Sequence, residues 1–215
     1  MARQLRLRLG QPASHSRDEY VAGPSNAQAL AAVDAWPRWP AGCLALVGPE
    51  GVGKTHLARA WAENTGAAIL DRLEPDVAAA AARPVLLEDV DRGVSDEALF
   101  HLINLAARDD GGGLLVTARS KPVAWSAALP DLRSRLNALF TAEIEEPDDE
   151  VLAGLLRKFF KERNIRPGED VISYLLRRIE RSAISAGEIV RRLDEAPDEL
   201  KPVSRVLARR LLEDD

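Results

Sequence analysis

Eight residues, Gly48-Pro49-Glu50-Gly51-Val52-Gly53-Lys54-Thr55, constrain this chain more than any other stretch. They fit G-x-x-x-x-G-K-[ST], directly behind the apolar run Leu44-Ala45-Leu46-Val47 and ahead of a segment that reads as helix through Trp61-Ala62-Glu63. A strand that turns through glycines into a helix aims several backbone N–H groups at one point. The new helix adds its positive end, and together these make a phosphate cradle. Lys54 is long enough to reach the outer phosphates, and the Thr55 hydroxyl can ligate magnesium. The order strand, phosphate loop, helix commits this part of the chain to parallel strands joined by crossover helices.

Alternating elements continue beyond the loop. Ala67–Leu70, Val85–Leu87, Leu114–Thr117 and Leu139–Ile144 read as short strands. Between them, helices are expected at Pro75–Ala82, from the Ser95 cap to Arg108, and from Pro130 through Arg133 and Arg135. Before the loop, Ser25 or Asn26 is placed to cap a helix from Ala27 to Ala35, and Trp36 and Trp39 read as packing around a proline corner. The acidic run Glu145–Glu150 marks a boundary. Past it the apolar residues recur only at helical spacing, as in Val151, Leu152, Leu155, Leu156 and Phe159, which predicts a bundle of roughly four helices. The expected division is a tail over 1–18, a nucleotide-binding core over 19–145 and a helical lid over 146–215.

Charge excludes some partners. The net charge is −5, and residues 151–215 hold 14 Lys/Arg against 12 Asp/Glu, so neither part reads as a basic DNA-binding module. Direct sequence-specific DNA binding is not expected. The single cysteine, Cys43, has the setting of a small buried hydrophobe. No apolar run is long enough for a bilayer, so a soluble, cytoplasmic protein without membrane association is expected.

A phosphate-loop NTPase needs carboxylates at a neighbouring strand end, one for magnesium and one to polarise the attacking water. Glu88 and Asp89 end the Val85–Leu87 strand and fit those roles, Glu88 as a magnesium ligand and Asp89 as ligand or base. The Asp89 side chain is one methylene shorter than the usual glutamate base, and a misplacement of about 1 Å can cost roughly 10²-fold in rate. Slow or absent autonomous hydrolysis is expected. Thr117 reads either as a sensor of the terminal phosphate or as a hydroxyl capping its strand. Arg133 and Arg135 read either as a solvated helix face or as arginines supplied across an interface to another chain's nucleotide. In the tail, Gln4-Leu5-Arg6-Leu7-Arg8-Leu9 alternates strictly, which suits an edge strand or a peptide docking its leucines in a partner's groove.

Together, the phosphate loop, acidic strand end, Thr117, arginine helix and helical lid resemble an AAA+ ATPase. Tyr20-Val21-Ala22-Gly23-Pro24-Ser25-Asn26 is similar to the segment that leads into the AAA+ core of the replication initiator DnaA. Leu129-Pro130-Asp131-Leu132-Arg133-Ser134-Arg135-Leu136 is similar to the arginine-finger region of DnaA and its relative Hda. Gln4–Leu9 resembles the clamp-binding peptide of Hda, and the sequence ends after the lid segment, so DnaA's helix-turn-helix domain is not expected. The best resemblance is to the Hda (HdaA) family, regulatory inactivators of DnaA.

That resemblance implies a nucleotide-binding adaptor that docks on the DNA polymerase sliding clamp and stimulates hydrolysis of DnaA-bound ATP, preventing re-initiation. It implies ADP or ATP with magnesium as ligands, clamp and DnaA as partners, and leaves a homodimer open. Residue by residue, Gln4, Leu5, Leu7 and Leu9 would engage the clamp. Tyr20, Val21, Gly48–Thr55 (Gly48, Pro49, Glu50, Gly51, Val52, Gly53, Lys54 and Thr55) and His56 would hold the nucleotide, Thr55, Glu88 and Asp89 the magnesium, and Arg135 would be the arginine finger acting in trans. AAA+ lids usually carry a second sensor arginine; Ile184 stands at that register here, with Arg181 one turn earlier. The competing expectations are an ATP-hydrolysing helicase loader or remodeller, and an initiator fragment that binds DNA.

Overall fold

Cys43–Val47 forms strand β1, and every one of its five residues is buried. The computed structural model describes residues 15–81, 83–108, 112–197 and 202–213. The Gln4–Leu9 segment therefore lies outside the described residues. Four further strands, β2 (Ala68–Leu70), β3 (Val85–Leu87), β4 (Leu114–Ala118) and β5 (Thr141–Glu143), join β1 in one sheet of order β2-β3-β4-β1-β5. All pairings are parallel. The register sets Leu46 opposite Thr117 and Val47 opposite Ala118.

Alternation along β1 divides its side chains between two cores. Cys43, Ala45 and Val47 pack with Leu99 and Leu102 of α3 (Asp96–Ala106) and with Leu132 and Leu136 of α4 (Pro130–Ala138). Leu44 and Leu46 face the other way, against Ala29 and Val33 of α1 (Ala27–Asp34) and Leu57, Ala58 and Trp61 of α2 (Lys54–Thr65). A sheet covered on both faces needs strands that are apolar throughout, which is why β1, β3 and β4 read as short unbroken apolar runs. Trp36 and Trp39 both pack on Trp61, with ring centroids 6.1 and 5.2 Å apart, as a proline-corner packing requires.

The helical segment divides into α5 (Asp149–Glu162), α6 (Glu169–Leu175), α7 (Ala183–Glu195) and α8 (Arg205–Glu213) around a third, separate core. Phe160 is its largest fully buried side chain. Phe160→Ala is expected to cost about 3–5 kcal/mol, the usual range for emptying a buried phenylalanine site. A urea denaturation midpoint indistinguishable from wild type would refute that role.

Two local expectations change. Residues 77–81 form a short 3₁₀ turn instead of a full α-helix, with Asp76 Oδ1 accepting the Ala78 N–H at 3.1 Å. Neither Ser25 nor Asn26 caps α1 through its side chain: the Ser25 hydroxyl accepts from Asp148 N and the Asn26 amide oxygen from Gly23 N. Asn26 clasps the preceding turn, accepting from Gly23 N at 3.0 Å and donating to Val21 O at 2.9 Å. Ser25 is bound to Asp148, whose carboxylate also caps α5 by accepting from Val151 N at 2.9 Å. One carboxylate thus ties the segment before the sheet to the helical lid.

Candidate functional site: a phosphate loop at the sheet's carboxyl edge

Strand order decides where the site lies. β1 sits between β4 and β5, so the chain leaves β1 at the point where successive crossovers run to opposite sides, the place where open parallel sheets leave a crevice. The loop after β1, the turn after β3 and the turn after β4 meet there. Gly48 has φ +150°, and a Cβ at that position would run into the Ile144 carbonyl oxygen. Gly53 starts α2 with φ +103°. These are backbone shapes that only glycine adopts without strain. Lys54 is 8% exposed, and its Nζ donates to the carbonyl oxygens of Gly48 at 2.8 Å and Pro49 at 2.6 Å. Burial lowers its pKa, with Asp89 the strongest opposing charge and Asp91 and Glu50 behind it. A curled glycine backbone, a buried ammonium and a helix start fit a bound phosphate chain.

Beside the loop is a cavity of about 310 Å³ whose lining includes Gly51, Gly53, Lys54, Thr55 and Asp89. Asp89 holds a left-handed backbone, φ 52°, which aspartate tolerates better than most residues. Its N–H donates to Thr117 Oγ1 at 3.0 Å, and Thr117 is 1% exposed. Thr117 therefore fixes the Asp89 backbone and does not itself line the cavity. Glu88 does not line it either. Arg59 on α2 donates to Glu88 Oε2 through Nε at 3.0 Å and Nη2 at 2.8 Å, and this pairing accounts for the side chain. Among the described residues no group of three or more His, Cys, Asp or Glu is gathered to hold a metal. Of the three residues expected to hold magnesium, Thr55 and Asp89 line the cavity, and a magnesium ion there would be completed by phosphate oxygens and water.

Three residues of the site carried no signal in the sequence. Arg92 and Arg119 line the cavity, Arg92 facing Asp89 at 3.7 Å and Arg119 bonded to Glu50 of the phosphate loop. Asp91 Oδ2 accepts from Arg119 N at 2.8 Å and Ser120 N at 3.3 Å, locking the turn after β4 onto the turn after β3. Only the pairing of β3 with β4 makes these residues neighbours.

Of the other expected nucleotide contacts, Tyr20 lies against Gly53, and its hydroxyl is buried without a partner among the described residues. Burial pushes that hydroxyl's pKa up to about 12. His56 packs edge-on to Tyr20 with centroids 5.5 Å apart, and its Nε2 lies 3.0 Å from Ser16 O. Val21 packs under Gly154 of α5. The lid reaches the loop directly, since Ala183 N donates to Gly51 O at 2.8 Å. Ile184, 59% exposed, lines the cavity, whereas Arg181 turns to Pro147 O at 3.1 Å and Asp149 Oδ1 at 2.6 Å. A second cavity of about 790 Å³ runs between Pro49, Glu50 and the turn before α7.

Arg133 and Arg135 part company on α4. Arg133 Nη2 donates to Ala127 O at 2.7 Å. Arg135 is exposed and has no hydrogen bond or ion pair among the described residues. Burial pushes the Cys43 thiol up to about 12, and the Arg135 guanidinium is near enough to work against that shift. Arg135 lies in the last turn of α4, just before β5 opens with Thr141 beside Ala45, so it lies toward the amino end of the sheet while the phosphate loop follows the carboxyl end of β1.

Comparison with known proteins follows this geometry. No family model matches the chain. The chromosomal replication initiator DnaA of Flavobacterium psychrophilum is 24% identical over 98% of this chain, which spans 51% of that protein's length. Domain III of DnaA from Thermotoga maritima superposes with a TM-score of 0.74 at 20% identity, covering 95% of this chain and 98% of that one. AMPPCP-bound DnaA from Aquifex aeolicus gives 0.72 at 18% identity, covering 93% of this chain and 68% of that one. Among the described residues no helix is long and apolar enough to cross a membrane. The chain has a DnaA-like AAA+ fold, a five-stranded parallel core followed by a helical lid.

Proposed function

We propose that the protein is a nucleotide-binding regulatory adaptor that docks on the sliding clamp and stimulates hydrolysis of DnaA-bound ATP, so restraining re-initiation of replication. The observation that carries this reading is Arg135, exposed on α4, without a hydrogen bond or ion pair among the described residues, and toward the end of the sheet opposite this chain's own phosphate loop. An arginine so placed is free to reach a nucleotide held by another chain, which supports the reading over that of a solvated helix face. The loop fits ADP or ATP, with Lys54 and the Gly48–Thr55 backbone holding phosphates and Thr55 with Asp89 holding magnesium. DnaA relatives of the same fold carry AMPPCP, which supports the same ligand class here. With Glu88 paired to Arg59 and Asp89 the one carboxylate of the pair in the cavity, autonomous hydrolysis is expected to be slow.

Clamp docking rests on Gln4, Leu5, Leu7 and Leu9, whose alternation suits an extended peptide in a groove. A pull-down with purified clamp, with and without the first nine residues, tests it. Retention of the full chain and loss of the shortened one is expected; equal capture of both would remove the docking peptide. The rival reading, an ATP-driven loader or remodeller, draws on Asp89 at the cavity, and turnover by the isolated protein at a few ATP per second would favour it.

A further inference from the structure

The cavity beside the loop is lined by three cations, Lys54, Arg92 and Arg119, and two carboxylates, Glu50 and Asp89. The arginines are already spoken for, each by a carboxylate on the same rim: Arg92 by Asp89, and Arg119 by Glu50. The lid contributes no cation, since Ala183 and Ile184 are what it presents and Arg181 is held by Pro147 and Asp149. A third phosphate brings additional negative charge to this rim, where Lys54, Arg92 and Arg119 are the lining cations among the described residues.

We infer that Arg119 is a specificity-determining residue that exchanges Glu50 for the outermost phosphate, making the site selective for a nucleoside triphosphate over a diphosphate. The inference rests on reading the loop as a nucleotide site. Three observations carry it. First, the Arg119 backbone is clamped: its N–H and that of Ser120 both donate to Asp91 Oδ2, so the base of the side chain stays put while its end changes partner. Second, the partner it would leave is weakly held. The Arg119 and Glu50 side chains are 40% and 62% exposed, and ion pairs in that setting contribute only about 0–1 kcal/mol. Third, a planar guanidinium engages phosphate oxygens through two parallel charge-assisted hydrogen bonds, and a phosphate chain offers it more negative charge than one exposed carboxylate does. Glu50 then acts as a counterweight. It sits in the loop, repels phosphate, and neutralises Arg119 until a polyanion arrives.

Calorimetric titration of ADP and of a non-hydrolysable ATP analogue, each with magnesium, tests the exchange in wild type, Arg119→Ala, Arg119→Lys, Glu50→Gln and Lys54→Met. Arg119→Ala is expected to weaken the triphosphate analogue by about tenfold and ADP by no more than about twofold, with Arg119→Lys between the two. Glu50→Gln is expected to tighten the triphosphate by about threefold, the size of an exposed ion pair. Equal weakening of both ligands by Arg119→Ala, no weakening of either, or weaker triphosphate binding in Glu50→Gln would overturn the inference while leaving the nucleotide site standing. Wild type that binds neither ligand, or Lys54→Met that binds both as well as wild type, would overturn the site reading and the inference with it.

Discussion

Arg135→Ala is expected to lower the stimulation of DnaA-bound ATP hydrolysis by about 10³–10⁵-fold, the span an arginine supplied in trans is worth to phosphoryl transfer. The size follows from where the charge acts. A guanidinium inserted at the edge of a nucleotide site meets the negative charge that develops on the transferring phosphoryl group, in surroundings from which water is largely displaced. The same substitution removes nothing that holds this chain together, because Arg135 is exposed and makes no hydrogen bond or ion pair among the described residues. The thermal midpoint and the affinity for nucleotide should therefore stay at wild-type values. Arg133→Ala provides the contrast: its Nη2 supports Ala127 O and should cost a little stability with less effect on the partner's hydrolysis. Stimulation retained by Arg135→Ala would rule this residue out as the finger.

Lys54→Met should weaken nucleotide binding by about 10²–10³-fold. A unit charge about 4 Å from a phosphate charge is worth roughly 4 kcal/mol at an effective dielectric constant near 20, and 1.4 kcal/mol is tenfold in affinity. Methionine keeps most of the stem that α2 buries and deletes only the ammonium. The deletion also leaves Gly48 O and Pro49 O without their donor, so a loss of about 1 kcal/mol in stability should accompany it. The dissociation constant for ADP, measured by calorimetry beside a urea melt, separates the two effects. Binding within about threefold of wild type would place the phosphates elsewhere than at Lys54.

The loop was legible because its requirements are local. Glycine at Gly48 and Gly53 answers a backbone need that spacing alone records, and β1 and α2 adjoin the loop in sequence. The lid was legible for a similar reason, its apolar residues repeating at helical spacing behind an acidic boundary. What sequence could not show depends on the order of strands in the sheet. Arg59 and Glu88 stand 29 residues apart, and only the packing of α2 beside β3 pairs them, so Glu88 read as a magnesium ligand when taken with its neighbour Asp89. Arg119 carried no signal, because nothing in its neighbours announces that β4 ends beside the loop and beside Asp91. Asn26 and Ser25 looked like helix caps for the same reason: Asp148, 123 residues from Ser25, competes for one of them.

The separation of Arg135 from the phosphate loop has a consequence for stoichiometry. A contact that brings Arg135 of one molecule to the loop of another joins two different patches, and it can be exchanged twice across a two-fold axis or repeated head to tail along a row. Across a two-fold axis each molecule would present its Arg135 to the other's loop, so both sites of a dimer would be served. Each molecule in a directional row gives an arginine forward and offers its own loop backward. In such a row the last loop receives no arginine, so its nucleotide is the one that this contact leaves untouched.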